Sequence, residues 1–286
     1  MTYDRAAEDV GNIVELGHVN TRVPDQRLAT IFYVSGLGLT RDPFLNVGVD
    51  NMWVNAGTTQ FHLPTGPAQV LRGTTGLVLP DLDALARRLR AVAPLLEGTL
   101  FAVTPGRDVT EVCSPWGNRL RCYAAGGRYG AVALGIAYVE LDARPGTTEG
   151  IARFYREILA ADAHCGHDDR GAFAHVAVGR HESLVFRETD TPLPEFDGNH
   201  VQIALADFSG PHGHLLERGL VTEESNQHQY RFDTIVDLDT GRKLLRLEHE
   251  VRSMRHPMYA RPLVNRDPSR VVDTYAPGHE SLAWHA

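Results

Sequence analysis

The sequence contains very little lysine and no long apolar segment. Lys243 is the only lysine among 28 basic residues, and 36 acidic residues bring the formal net charge to -8. Because the basic residues form no stripe that could follow a phosphate backbone, we do not expect nucleic acid as a partner. No apolar run approaches the ~18 residues of a membrane span, and the first ten residues lack the order of a secretory signal. We therefore expect a cytoplasmic protein with no membrane partner.

Cysteines and several well-known catalytic motifs are also scarce or missing. Cys113, Cys122 and Cys165 are odd in number, and their spacing fits neither a disulfide framework nor a zinc knuckle, so we expect free or buried thiols. There is no Gly-x-Ser-x-Gly elbow, phosphate-binding loop or dinucleotide fingerprint, and the reactions that depend on them are excluded. With 286 residues, 43% of them hydrophobic, the chain can nevertheless bury a substantial core.

What the sequence does contain is an internal repeat. The stretch "HVNTRVPDQRLATIFYVSGLGL", residues 18–39, has a strand pattern followed by a helix pattern and then by glycines. A shift of 122 residues, without a gap, places Phe32 on Phe154, Tyr33 on Tyr155 and Arg22 on Arg144. Self-similarity of this kind indicates a repeated structural module.

The pattern predicts four modules, each a strand, a helix and three strands, over residues 13–253. The first ends near residue 64, the second runs from "TGLVLPDLDAL" to "NRLRCYAA", the third from residue 137 to about 190, and the fourth from "NHVQIALAD" to "LLRLEHEVRS". We group them into an N-terminal domain (1–130), a C-terminal domain (131–260) and a tail (261–286). One such module forms a curved sheet that cannot bury both faces alone, so the modules must pair into an α+β protein.

Three sets of motifs resemble the vicinal oxygen chelate superfamily, which includes glyoxalase I, bleomycin-resistance proteins and extradiol dioxygenases. They are "HVNTRVPD...FYVSGLGL...TQFHL", "GLVLPDLDAL...SPWGNRLRCY" and "HVQIALAD...LLRLEHEVRS". The resemblance implies tandem βαβββ modules that pair into curved sheets. It also implies metal ligands at the head of the first strand and in the last strand of each module.

At these positions the sequence has His18, Thr74, Glu140 and His200 in the first strands, and His62, Arg121, Phe186 and Glu248 in the last strands. The register is set by the residue seven further along from each strand head: Asp25, Asp81, Thr147 and Asp207. By the resemblance, the metal ligands are His18, His62, His200 and Glu248.

Two module pairings are compatible with the sequence. If module one pairs with four and two with three, as in a fused glyoxalase dimer, all four ligands surround one ion. If one pairs with two and three with four, as in single-chain extradiol dioxygenases, the set becomes Glu140, His200 and Glu248. We favour the first pairing because it fills four of four ligand positions.

The imidazole and carboxylate ligands suit one divalent ion per chain, with Fe(II) favoured and Mn, Zn, Ni or Co also compatible. Glu140, Tyr230 and Glu250 are the predicted catalytic side chains, with Arg231 beside the phenol. Each has an ordinary alternative: Glu140 could be an ion-pair partner, Tyr230 a packing residue, and the two glutamates of the last strand a solvated acidic edge.

We predict an enzyme that acts on a small substrate chelating the ion through neighbouring oxygens, first of all a non-haem Fe(II) extradiol-type dioxygenase. A glyoxalase-like isomerase or lyase is the second hypothesis. The third is a non-catalytic protein that binds a drug or metabolite, as bleomycin-resistance proteins do. A homodimer is compatible with each of them.

Overall fold

The computed structural model describes residues 3–45 and 48–266, and the four expected modules follow one another along them. The first contains β1 (Ile13–Asn20), α1 (Gln26–Ala29) continued by a π-helical segment (Thr30–Gly36), β2 (Thr40–Arg41), β3 (Asn51–Ala56) and β4 (Thr59–Pro64). The second contains β5 (Gly73–Leu79), α2 (Leu82–Val92), β6 (Ala102–Thr104), β7 (Val109–Cys113) and β8 (Arg119–Ala124).

The third module contains β9 (Gly135–Ala143), α3 (Thr148–Leu159), β10 (Ala163–Asp168), β11 (Gly171–Ala177) and β12 (Ser183–Glu188). The fourth contains β13 (His200–Leu205), α4 (Ser209–Glu217), β14 (Val221–Asn226), β15 (Gln229–Val236) and β16 (Lys243–Ser253). Short 3-10 segments occupy Ala6–Glu8 and Ala93–Leu96. No helix in the described ranges is long and apolar enough to cross a membrane.

The described strands form two eight-stranded mixed sheets, and each sheet combines two modules. The first has the order β14-β15-β16-β13-β1-β4-β3-β2, and the second β10-β11-β12-β9-β5-β8-β7-β6. β1 runs antiparallel to β13 with Val19 opposite Val201. In the second sheet the Asp142 N–H donates to the Arg72 carbonyl at 2.7 Å. Module one therefore pairs with four and module two with three, so the favoured pairing is confirmed.

The described residues also divide into two compact units that alternate along the sequence. One comprises the residues up to Asn20, Leu71–Gly76 and Ala137–Arg261; the other comprises Thr21–Val70, Leu77–Ile136 and the residues from Pro262 onward. Division of the chain into domains at residue 130 stays a prediction. Cys113, Cys122 and Cys165 are free thiols, as expected.

The four residues that set the module register lie where the helices begin. The carboxylate of Asp25 accepts two backbone N–H groups of α1, Asp81 accepts one from α2, and Asp207 accepts one at the start of α4. Thr147 makes no side-chain cap, and Glu188 accepts its N–H at 3.0 Å instead. Helix capping thus explains why Asp25, Asp81 and Asp207 recur at the same place in three of the four modules, because a cap satisfies N–H groups that have no partner within the helix.

The repeated aromatic pair is buried in both copies. Phe32, Tyr33, Phe154 and Tyr155 are each at most 1% exposed. The Tyr155 hydroxyl donates to Nε2 of His249 at 2.6 Å, and Nδ1 of His249 donates to the Leu247 carbonyl at 2.8 Å. Burial lowers the pKa of His249 to about 3, so the ring stays neutral at neutral pH. Both ring nitrogens are satisfied, which fixes β16 against α3 from the side opposite Glu248 and Glu250.

Replacing Tyr155 with Phe is expected to lower the free energy of unfolding by about 1–3 kcal/mol, because the buried His249 Nε2 loses its donor. Urea denaturation at neutral pH measures this difference. Tyr3→Phe removes a hydroxyl from a side chain that is 73% exposed and serves as the matched control with no expected change. Equal stability of Tyr155→Phe and the native protein would contradict a role for this hydrogen bond.

Candidate metal centre

Two buried histidines face each other across the β1–β13 pair. His18 lies opposite Gln202, and Asn20 lies opposite His200. Side chains of directly opposed residues share a sheet face, so the alternation of each strand brings both imidazoles to the same side. Their ring centroids are 5.6 Å apart, and His18 and His200 are 1% and 8% exposed.

β16 adds two carboxylates beside His200. β13 and β16 are parallel, with His200 opposite Glu248 and Gln202 opposite Glu250. Nδ1 of His200 is 3.4 Å from Glu248 Oε1, and its Nε2 is 3.6 Å from Glu250 Oε2. The buried Nε2 has no hydrogen-bond partner among the described residues. The imidazole thus lies between two carboxylates, with one nitrogen still able to bind a ligand.

Two arginines balance the charge of these carboxylates. Arg231, which lies opposite Glu250 on β15, bonds both Glu248 and Glu250, and Arg252 bonds Glu250 at 2.6 Å. Burial alone would raise the pKa of Glu250, but nearby His200 and His18 and the positive charges of Arg252 and Arg231 hold that pKa well below its ordinary value. Glu250 is therefore ionised at neutral pH although its side chain is only 4% exposed.

The third predicted histidine, His62, lies on β4 and is half-buried. Its Nε2 is 2.7 Å from Asn51 Oδ1, and its ring stacks on Trp53 with a centroid distance of 3.8 Å. His62 belongs to the compact unit that contains Thr21–Val70, and its role as a metal ligand stays a prediction.

The donor set therefore fits a divalent ion. Imidazole nitrogen with a carboxylate oxygen suits Fe(II), Mn(II), Zn(II), Co(II) or Ni(II), and the buried Nε2 of His200 is an available donor atom. Within the compact unit that comprises the residues up to Asn20 and Ala137–Arg261, the candidate ligands are His18, His200 and Glu250.

Glu140, by contrast, belongs to an ion-pair cluster on the second sheet. Its carboxylate accepts hydrogen bonds from Arg170 and Arg187. Arg187 also donates two hydrogen bonds, of 2.7 and 2.9 Å, to the Asp168 carboxylate. Burial raises the pKa of Glu140, but the two guanidinium groups outweigh burial and the net pKa is lowered. The structure does not bring Glu140 to the first-sheet strands that carry His18 and His200, and its catalytic role stays a prediction.

Tyr230 is also separated from the two histidines. It precedes Arg231 on β15, so its ring is on the other face of the sheet, against Phe208 and His212 at centroid distances of 5.0 and 4.9 Å. Burial raises the pKa of the Tyr230 phenol. The predicted catalytic role of Tyr230 is not tested by this placement, but a packing role accounts for all of its ring contacts.

Sequence reasoning did not identify Arg252 or Gln202. Arg252 follows Glu248 and Glu250 at a spacing of two on the same strand, and that alternation is the signal that could have indicated it. Gln202 is 1% exposed and its amide lies over Gly17, where an added Cβ would come within 1.8 Å of Gln202 Oε1. Position 17 must therefore be glycine for this amide to lie beside the histidines.

Comparison with solved structures identifies the fold. Glyoxalase I from Zea mays superposes with a TM-score of 0.59 at 13% identity, over 84% of this chain and 92% of that chain. A Bacillus subtilis protein described as a candidate dioxygenase superposes with a TM-score of 0.54 at 13% identity, over 87% of this chain and 88% of that chain. No protein-family model and no curated protein matches the sequence. The expected glyoxalase-type α+β fold is confirmed; at these identities the likeness establishes the fold and not the reaction.

Glu140→Gln is expected to lower the free energy of unfolding at neutral pH by about 3 kcal/mol, because Arg170 and Arg187 lose a buried anionic partner. The folded-state pKa of Glu140 is lowered, so its contribution is complete above the unfolded value of about 4.3 and is lost as the pH falls toward the folded value. Denaturant unfolding between neutral and acidic pH measures the difference between variant and native protein.

Glu157→Gln is the control, because Glu157 pairs with Arg153 while 54% exposed, and its effect should stay below about 1 kcal/mol. If Glu140→Gln leaves stability unchanged at every pH, the ion-pair role is wrong. Loss of enzymatic turnover at unchanged stability would instead support the predicted catalytic role.

Proposed function

We propose that this protein is a divalent-metal-dependent enzyme acting on a small substrate that chelates the ion through two neighbouring oxygens. The observation that supports it is the cluster of His18, His200 and Glu250 on one face of the first sheet. An ion bound there supplies Lewis-acid activation of a bidentate substrate and, as Fe(II), supports reaction with dioxygen.

We assign different roles to the two glutamates of β16. Glu250 is more deeply buried than Glu248, and its oxygen is near the buried Nε2 of His200, so Glu250 shares an ion with that nitrogen. Glu248 faces Nδ1 and orients the ring, because a metal-bound histidine commonly donates its other N–H to a carboxylate. The ligand that the resemblance placed at Glu248 is thereby moved to Glu250 in this proposal.

The charge balance of the centre favours an anionic chelating substrate. Glu248 and Glu250 carry two negative charges, and Arg231 and Arg252 carry two positive charges. Histidines bind metals in the neutral form, so these side chains leave the charge of a divalent ion unbalanced. A substrate with two adjacent deprotonated oxygens would neutralise it. The Gln202 amide, buried beside the same histidines, is placed to donate a hydrogen bond to such an oxygen.

The first candidate reaction of this enzyme is extradiol-type oxidation of a vicinal diol on an aromatic ring. Two histidines with one carboxylate are the face used by non-haem Fe(II) oxygenases. Both atoms of dioxygen enter the product, so no external reductant is needed.

A glyoxalase-type isomerisation or lyase reaction is the second candidate, and the pairing of module one with module four favours it. In that reaction Glu248, which is partly exposed and next to His200, would move a proton at a carbon beside the chelating oxygens. The third hypothesis, non-catalytic binding of a drug or metabolite, would need no stoichiometric metal.

The native protein is expected to bind about one divalent ion per chain, and His200→Ala and His18→Ala are expected to lose it. Elemental analysis after expression with Fe(II), Mn(II), Zn(II), Co(II) or Ni(II) measures the occupancy. Glu250→Gln should remove a ligand, whereas Glu248→Gln should weaken binding by only about 10–100-fold. His181→Ala, at an exposed position, is the control. Full occupancy in His200→Ala would overturn the proposed centre, and a metal-free native protein would favour the third hypothesis.

The reaction type is tested by oxygen consumption with a panel of catechols under Fe(II). Extradiol oxidation is expected to consume one dioxygen per catechol, and His200→Ala should abolish the consumption. No uptake, together with exchange of a substrate C–H for deuterium in heavy water, would replace this assignment with the isomerase. The exchange should then disappear in Glu248→Gln.

A further inference from the structure

A second pocket, on the compact unit that carries the candidate metal centre, has the composition of an anion-binding site. It encloses about 470 Å³, and its cationic side chains are Arg72, Arg144, Lys243 and Arg246. Glu195 is its one acidic lining residue among those described. This balance is the reverse of that of the whole chain, whose formal charge is -8, and the pocket includes the single lysine of the sequence.

Two of the four cations make no ion pair among the described residues, although Lys243 is near enough to Asp233 to help lower the pKa of that carboxyl. Arg246 is paired with Asp233 at 2.6 Å, and Asp142 and Asp197 lie close enough to stabilise the charge of Arg72. Arg144 and Lys243 are exposed and make no ion pair with any residue that the structure describes. Two positive charges of this pocket are therefore available to a ligand.

The remaining walls of the pocket are mostly apolar. The guanidinium carbons of Arg72 and Arg246 lie 5.6 and 5.1 Å from the centroid of the Phe196 ring. Both arginines therefore lie over an aromatic surface. Leu193, Pro194, Leu244 and Leu245 are the other apolar lining residues, and Thr234 is a polar one. The Arg72 guanidinium also donates to the Arg246 carbonyl, which links the loop before β5 to β16.

The Arg72 guanidinium group is repelled by the other positive charges of the pocket. Its half-buried position lowers its pKa, and the charges of Arg144 and Arg246 lower it further against the opposing effect of Asp197 and Asp142. An anion in the pocket would relieve this repulsion. Guanidinium groups bind carboxylate and phosphate oxygens through paired, charge-assisted hydrogen bonds.

We propose that this pocket binds a small ligand in which a carboxylate or phosphate is attached to an apolar, preferably aromatic, body. Arg144 and Lys243 bind the oxyanion, and Phe196 with the neighbouring leucines contacts the body. None of the lining residues belongs to the candidate metal centre, so the ligand is additional to the metal-chelating substrate.

Phenyl phosphate and benzoate are the probes, with inorganic phosphate and phenol as their separated halves. Calorimetric titration of the full chain is expected to show phenyl phosphate or benzoate binding more tightly than either half, with an affinity that weakens as salt is added. The double variant Arg144→Ala/Lys243→Ala should weaken binding of the anionic probe at least about tenfold. Phe196→Ala should weaken the aromatic probes but not inorganic phosphate.

Arg180→Ala removes an exposed arginine outside the pocket and is the matched control. His200→Ala and removal of metal by a chelator should both leave probe binding unchanged. The proposal is overturned if no probe binds saturably in the low-millimolar range, if the Arg144/Lys243 double variant binds as well as the native protein, or if binding is lost in His200→Ala.

Discussion

β13 lies between β1 and β16, and the register of these two pairings decides which side chains meet. The antiparallel pairing brings His18 to the face occupied by His200 and Gln202, and the parallel pairing adds Glu248 and Glu250. Side chains alternate along a strand, so a slip of one residue in either pairing would turn a set of these groups to the other face. The face opposite the histidines carries the aliphatic residues that pack against the helices. The burial of these residues opposes such a slip. The register that forms the core therefore also assembles the candidate centre.

Charge neutralisation is the second requirement of the first sheet. A carboxylate as buried as Glu250 is costly unless cations and hydrogen-bond donors surround it. Arg231 and Arg252 meet that requirement, and they do so from the two sides of Glu250. The arrangement keeps the carboxylate ionised and holds it beside His200. Glu248 shares Arg231, so one guanidinium group offsets charge on both glutamates.

The second sheet shows that the same module pairing need not produce the same chemistry. Glu140 lies in the first strand of its module, at the position that the sequence alignment of the modules matches with His18 and His200. There, however, two arginines bind its carboxylate, and the pair formed by Arg187 and Asp168 extends the cluster. Fold and function are separable in this way because a site depends on a few side chains while the fold depends on the distribution of apolar residues. The pocket around Arg72 and Lys243 illustrates the same independence.

The sequence by itself determined the modules and much of the site. Hydrophobic periodicity and the 122-residue repeat are local properties of the chain, and they sufficed to predict four βαβββ modules. The resemblance to a known family then implied His18, His62, His200 and Glu248 as ligands. Only the tertiary structure decided that module one pairs with module four, that Tyr230 and Glu140 lie away from the first-sheet histidine face, and that Arg231 and Arg252 neutralise Glu250. These facts depend on which distant strands become neighbours. Two strands carry no local mark of their partner, because a sheet edge offers the same backbone hydrogen bonds to any strand.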